Sequence, residues 1–136
     1  MTRVVETAAF AHPAAQVWEW VGDFGGLNRW HPAVTHCRLQ PDGTRLLTLA
    51  DGAEIVERLD GRDAKARTLD YSIVTSPLPV RDYRSHIAVR ETAKGCSVEW
   101  SSTFEPQGAD EAAASNAVRG IYTAGLGRLK HCLVKS

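Results

Sequence analysis

The chain has no excess of either charge, no long apolar run and no paired cysteines. Lys plus Arg and Asp plus Glu stand at 16 each, so neither nucleic acid nor an anionic membrane is favoured as partner on electrostatic grounds. Nowhere are there the roughly 18 consecutive apolar residues that a membrane span requires. Met1 to Phe10 carries one Arg and no apolar stretch of signal-peptide length, and the chain reads as cytoplasmic with no membrane insertion. Cys37, Cys96 and Cys132 are odd in number, far apart and without C-x-x-C spacing, which argues against both a disulfide framework and a structural zinc site. They are expected to be reduced and half-buried.

Catalytic signatures are missing as well. Neither H-E-x-x-H nor a histidine pair at i, i+4 in a helix occurs, His31, His36 and Cys37 fall in a loop and a strand start, and no metal site is expected. G-x-S-x-G is absent. The glycines of 22–26 follow a helix instead of a strand, so they make no nucleotide loop. No cofactor is implied. No internal repeat or low-complexity tract interrupts the 136 residues, a length that suits one domain over 1–136 with a substantial core.

What is present is a strand pattern with polar side chains in the apolar phase. Arg45 alternates with Leu47 and Leu49, Glu57 with Ile55 and Leu59, Tyr71 with Leu69 and Ile73, and Tyr83 with Ile87 and Val89. Side chains two apart on a strand share a face, so all four should point inward. Buried charges need partners, and buried tyrosine hydroxyls need hydrogen bonds. A polar cluster inside a mostly apolar cavity is therefore expected.

The order of elements follows from punctuation and period. Residues 3–10 read as a strand, and Pro13 opens a helix in which Ala14, Val17, Trp18 and Val21 keep helical spacing. Gly22, Gly25 and Gly26 then separate it from a second short helix. Strands at 34–40, 44–50, 53–60 and 66–75 are divided by Pro41-Asp42-Gly43, Asp51-Gly52 and Gly61-Arg62-Asp63. The apolar break Ser76-Pro77-Leu78-Pro79 leads to strands 82–91 and 96–104. Asp110 and Glu111 place negative charge where a long helix begins, running to about Val134. Its stripe of Val118, Ile121, Tyr122, Gly125, Leu129, Cys132 and Leu133 coexists with Gly120, Gly125 and Gly127. Each glycine costs roughly 1 kcal/mol against Ala, which suggests close approach to the sheet or room for a guest. The class is α+β, helices covering one face of a curved antiparallel sheet of about seven strands.

Local motifs carry a resemblance across nearly the whole chain: D-F-G-G-L-N-R-W-H-P at 23–32, E-R-L-D at 57–60, Y-S-I-V at 71–74, P-V-R-D-Y-R-S at 79–85, C-S-V-E-W at 96–100 and Y-T-A-G-L-G-R-L at 122–129. These resemble the START-like, helix-grip superfamily of polyketide cyclase/dehydratase-like proteins. The branch they look like holds lachrymatory-factor synthase and the abscisic-acid receptors. In the synthase an Arg, a Glu and a Tyr are implicated in proton movement, and the resemblance maps them to Arg45, Glu57 and Tyr83. In the receptors the matching Glu and Tyr join a water network around the hormone. This chain lacks the receptors' S-G-L-P-A gate, their latch His-Arg-Leu and the lysine that meets the hormone, which argues against a hormone-receptor role.

The leading expectation is a cavity between sheet and C-terminal helix that takes a small, largely apolar molecule, its polar end held by Arg45, Glu57 and Tyr83. Tyr71, Trp30, Leu47, Ile55, Leu78, Pro79, Trp100, Phe104, Ile121, Tyr122, Gly125 and Leu129 complete the expected lining. Core packing is the default for Trp18, Trp20, Trp30 and Trp100, with Trp30 the candidate for the cavity entrance. The alternative is a cofactor-free lyase or isomerase with Glu57 as acid or base and Arg45 with Tyr83 stabilising negative charge on oxygen. A third reading is an interaction module whose 76–82 loop presents Leu78 and Pro79 to a protein.

Overall fold

The computed structural model describes residues 1–134. Strand β1 (Thr2–Phe10) leads to helix α1 (Ala14–Val21) and a short 3₁₀ helix, α2 (Phe24–Arg29). Six strands follow: β2 (Val34–Leu39), β3 (Thr44–Leu49), β4 (Glu54–Asp63), β5 (Thr68–Thr75), β6 (Val80–Thr92) and β7 (Gly95–Pro106). Helix α3 (Glu111–Val134) ends the described chain. The seven strands form one antiparallel sheet in the order β1-β7-β6-β5-β4-β3-β2. A long helix over such a sheet, with short helices after β1, is the helix-grip arrangement.

Each helix start has a local cause. Pro13 is extended, and its carbonyl accepts from Gln16 and Val17. Ala14, Val17, Trp18 and Val21 then face the core. Gly22 ends α1, where a Cβ would lie 2.5 Å from the Trp18 ring. Asp110 Oδ1 accepts from the Ala113 N–H at 2.8 Å and its carbonyl from Ala114, capping α3.

Several boundaries differ from the sequence expectation. The β4–β5 turn lies beyond Asp63, whose Oδ1 takes the N–H groups of Lys65 and Ala66, each at 3.0 Å. Gly61 belongs to the strand instead, at one of two register shifts in β4. Strand β6 begins at Val80 and contains a further shift between Arg81 and Arg84, where Asp82 adopts φ +53°. Bulges of this kind bend and twist a sheet, and here they fall in the strands that surround the polar cluster. Leu78 packs partly buried against the core, so the 76–82 loop does not hold it out toward a partner. Cys96 is fully buried, while Cys37 and Cys132 are half-buried thiols. Among the described residues no helix is long and apolar enough to cross a membrane.

Candidate functional site

The four polar residues on apolar strands all lie inside: Arg45 is 2% exposed, Glu57 6%, Tyr71 3% and Tyr83 5%. Arg45 and Glu57 are direct cross-strand partners on β3 and β4, which holds their side chains side by side. Arg45 Nε donates to Glu57 Oε1 at 2.8 Å, and Nη2 reaches the same oxygen at 2.6 Å. Arg45 Nη1 donates to the Phe24 carbonyl at 2.8 Å, and its guanidinium lies 4.1 Å from the Phe24 ring centroid. One arginine thus ties the start of α2 to β3 and β4.

Tyr71 joins this pair to the rest of the cluster. Its ring sits 5.0 Å from the Arg45 guanidinium carbon, and its hydroxyl accepts from Trp100 Nε1 at 3.0 Å. The same Nε1 donates to Ser85 Oγ at 3.1 Å, and Ser85 Oγ donates to the Ser101 carbonyl at 2.9 Å. From α3, Tyr122 brings its hydroxyl to 3.2 Å from Ser85 Oγ and into hydrogen-bond contact with the Tyr83 hydroxyl. The chain's three tyrosines therefore converge on one network spanning sheet and helix. The Tyr83 hydroxyl faces Tyr122 and not Glu57, so the expected Arg, Glu and Tyr set is split into two neighbouring groups.

Aromatic packing closes the space around these groups. Trp100 stacks on Tyr122 at 4.4 Å between centroids, and Tyr83 on Phe104 at 6.2 Å. Trp30 follows its default of core packing and not the entrance position: it is 2% exposed and lies 5.6 Å from Trp100, with its indole Nε1 buried without a partner. Leu47 and Ile55 face each other across β3 and β4 inside the core, and Leu129 is fully buried. Ile121, Leu78 and Pro79 are half-buried. Of the expected lining, Leu78 and Pro79 lie apart from this network, in the loop before β6.

Gly125 brings α3 onto the sheet. A Cβ there would come within 2.7 Å of His31 Cδ2 and 2.9 Å of Trp100 Cζ3. Gly120 and Gly127 are solvent-facing, and a Cβ at either would meet no atom within 4 Å; they serve neither close approach nor a guest.

His31 and Ser85 are the residues that sequence reasoning missed. Ser85 shares the inward phase of Tyr83 and Ile87, and strand parity alone would have found it. His31 lies in a loop with no period to betray it. It is 3% exposed; Nε2 donates to the Ile121 carbonyl at 2.8 Å, and Nδ1 accepts the Ala33 N–H at 3.2 Å. This pattern fixes the neutral tautomer. Burial lowers the His31 pKa below its usual 6.5, against the Ile121 hydrogen bond that raises it.

Burial also dominates the other titrating groups. It pushes the Glu57 carboxyl up, with Arg45 opposing, raises Tyr71 and Tyr83 far above the usual phenol range, and pushes Tyr122 up to about 12. The tyrosines are neutral hydrogen-bonding groups, able to orient a polar ligand atom. For Glu57 the same burial disfavours the ionised carboxylate, with the Arg45 guanidinium opposing it.

A helix-grip fold enclosing a buried polar cluster defines a class of small-molecule proteins, and the chain's relatives narrow it. The chain belongs to the polyketide cyclase/dehydrase and lipid transport family, whose model matches residues 1–133. Among solved structures it is similar to the protein XoxI from Bacillus cereus, at 34% identity and TM-score 0.95 over 98% of this chain and 96% of that one. An uncharacterised protein from Bacillus thuringiensis matches at 34% identity and TM-score 0.94, over 98% and 99%. Ara h 8.0201, at 15% identity and TM-score 0.80 over 99% of each chain, shares the fold alone. No curated protein matches the chain.

Proposed function

We propose that this protein binds a small, largely apolar molecule between the sheet and α3, its polar end met by Arg45, Glu57 and Tyr83. The observation that carries this reading is the Arg45–Glu57 pair. Two charges are buried in an apolar layer, yet both guanidinium contacts fall on one carboxylate oxygen. A pair kept purely for stability is readily replaced by apolar side chains, whereas a guest with a hydroxyl has a buried carboxylate to which it can donate. The unpartnered Trp30 Nε1 is a buried donor that a guest could also meet; an unmet buried donor costs about 1–3 kcal/mol.

The upward shift of Glu57 favours a second reading, a cofactor-free lyase or isomerase in which Glu57 accepts or returns a proton on an enolisable substrate. The first test is native mass spectrometry of the purified protein, with extraction of any passenger. A stoichiometric apolar passenger that is retained by the wild type and lost in Glu57→Gln supports the carrier. An empty protein that turns over small enolisable ketones, with a pH–rate profile abolished in Glu57→Gln, supports the enzyme. Passenger binding or turnover unchanged in Glu57→Gln removes Glu57 from either role.

A further inference from the structure

Outside the buried cluster, the sheet has an opening of its own. The β5–β6 ladder runs from Thr68↔Ala88 to Ser72↔Arg84 and stops there, although β5 continues to Thr75 and β6 already begins at Val80. Beyond the break each strand is held only on its far side: Thr75 pairs with Val56 of β4, and Val80 and Arg81 pair with Pro106 and Glu105 of β7. The bulge at Asp82 lies on the rim of this gap. Two strands that part inside a continuous sheet leave a slot through it.

That slot is a pocket of about 850 Å³ whose walls include Arg58, Val74, Val80, Arg81, Tyr83 and Arg84. Its volume is that of a small-molecule site, which typically runs about 300–1,000 Å³. We propose that it binds an anionic amphiphile: a carboxylate carried on an apolar body.

The wall chemistry selects that class. Three arginines face one acidic side chain, Asp82, in the wall, on a chain whose net charge is zero. Arg58 is held in place by Nη2 donating to Ser72 Oγ at 3.0 Å and Nε to Asp60 at 3.0 Å. Arg81 has an exposed contact of 3.5 Å with Asp82, too loose and too wet to neutralise it. Arg84 has no ion pair among the described residues, so its planar fork is free for a carboxylate. The apolar body has a place as well. Val74 is 51% exposed, and Val80 packs half-buried against the core beside it.

This slot does not rest on the interior reading. Arg58, Ser72, Val74 and Arg84 occupy the strand phase opposite to Glu57 and Tyr71, so the charged wall of the slot lies on the outer face of the sheet, and Ile73 and Tyr83 close its inner end.

Calorimetric titration of the full chain with octanoate at low salt tests it, with octanol as the uncharged comparison. Octanoate is expected to bind more tightly than octanol, and Arg84→Gln to weaken octanoate by about tenfold or more, as loss of a charge-assisted fork would. Arg90→Gln, on the same strand away from the slot, should leave the affinity unchanged, as should Glu57→Gln. Absence of octanoate binding, or binding indifferent to Arg84→Gln, overturns the proposal. Sensitivity to Glu57→Gln also overturns it, by assigning octanoate to the interior and so supporting the reading given there.

Discussion

His31 shows how one side chain can hold two layers together and leave a signature in pH. Its ring bridges the loop after α2 to the Ile121 carbonyl of α3 in the neutral form, and protonation would remove the acceptor that Ala33 uses. Because burial lowers the folded-state pKa below 6.5, the unfolded chain takes up the proton first as pH falls. The contribution is therefore fully present above about 6.5 and lost as pH descends through the folded-state value, at up to about 1.4 kcal/mol per pH unit. Glu57, with its pKa raised by burial, acts with the opposite sign, so the effect of His31 is read as a difference. Urea titrations of wild type and His31→Gln between pH 7.5 and roughly 5 should show the wild type losing stability faster; parallel curves would mean His31 is charged or solvated. No periodicity in the sequence assigned this residue to the interior, because a loop has no period. Arg45, Glu57, Tyr71 and Tyr83 were legible for the converse reason: on a strand, parity alone assigns a face, and all four are buried. What parity could not give was who meets whom. The Tyr83 hydroxyl is taken by Tyr122, a partner on an element distant in sequence.

At the scale of elements, α3 separates glycines with a use from glycines without one. Gly125 lies in the apolar stripe with Val118, Tyr122 and Leu129, all buried, and any Cβ there would collide with His31 and Trp100. Gly120 and Gly127 are exposed, with open space around them. Gly120→Ala and Gly127→Ala should each stabilise the protein by up to about 1 kcal/mol, whereas Gly125→Ala should lower the thermal midpoint by forcing the helix off the sheet. Thermal unfolding of the three variants decides this, and a stabilised Gly125→Ala would show that α3 stands further from the sheet. The sequence contained half of this distinction, since Gly125 is in the stripe and the other two are not. The β4–β5 turn was less legible. Gly61-Arg62-Asp63 has turn composition, but Gly61 serves a bulge and Asp63 closes a turn one step later through its own carboxylate. A turn-forming residue type does not say which of these two local uses it has.

For the molecule as a whole, the sheet and α3 are shut against each other by the contacts that a guest in the interior would have to enter. Tyr122 reaches Tyr83 and Ser85, stacks on Trp100, and sits fully buried between them. Further along the helix His31 holds the Ile121 carbonyl, and at the rim Arg119 meets Glu6 of β1 at 3.1 Å. Binding to the interior then requires the helix face to yield first, so the association rate measures opening as well as encounter. Association that waits on a conformational change falls below the usual 10⁵–10⁷ M⁻¹s⁻¹ or so. Stopped-flow mixing with the neutral fluorophore N-phenyl-1-naphthylamine should show such slow entry, accompanied by a change in tryptophan emission. Tyr122→Phe removes the hydroxyl that meets Tyr83 and Ser85 while keeping the ring, and should speed entry severalfold while costing about 1–3 kcal/mol of stability. Fast entry that Tyr122→Phe leaves unchanged would place the fluorophore outside the interior. Slow entry accelerated by that one hydroxyl would make the tyrosine contact between sheet and helix the barrier that a ligand crosses.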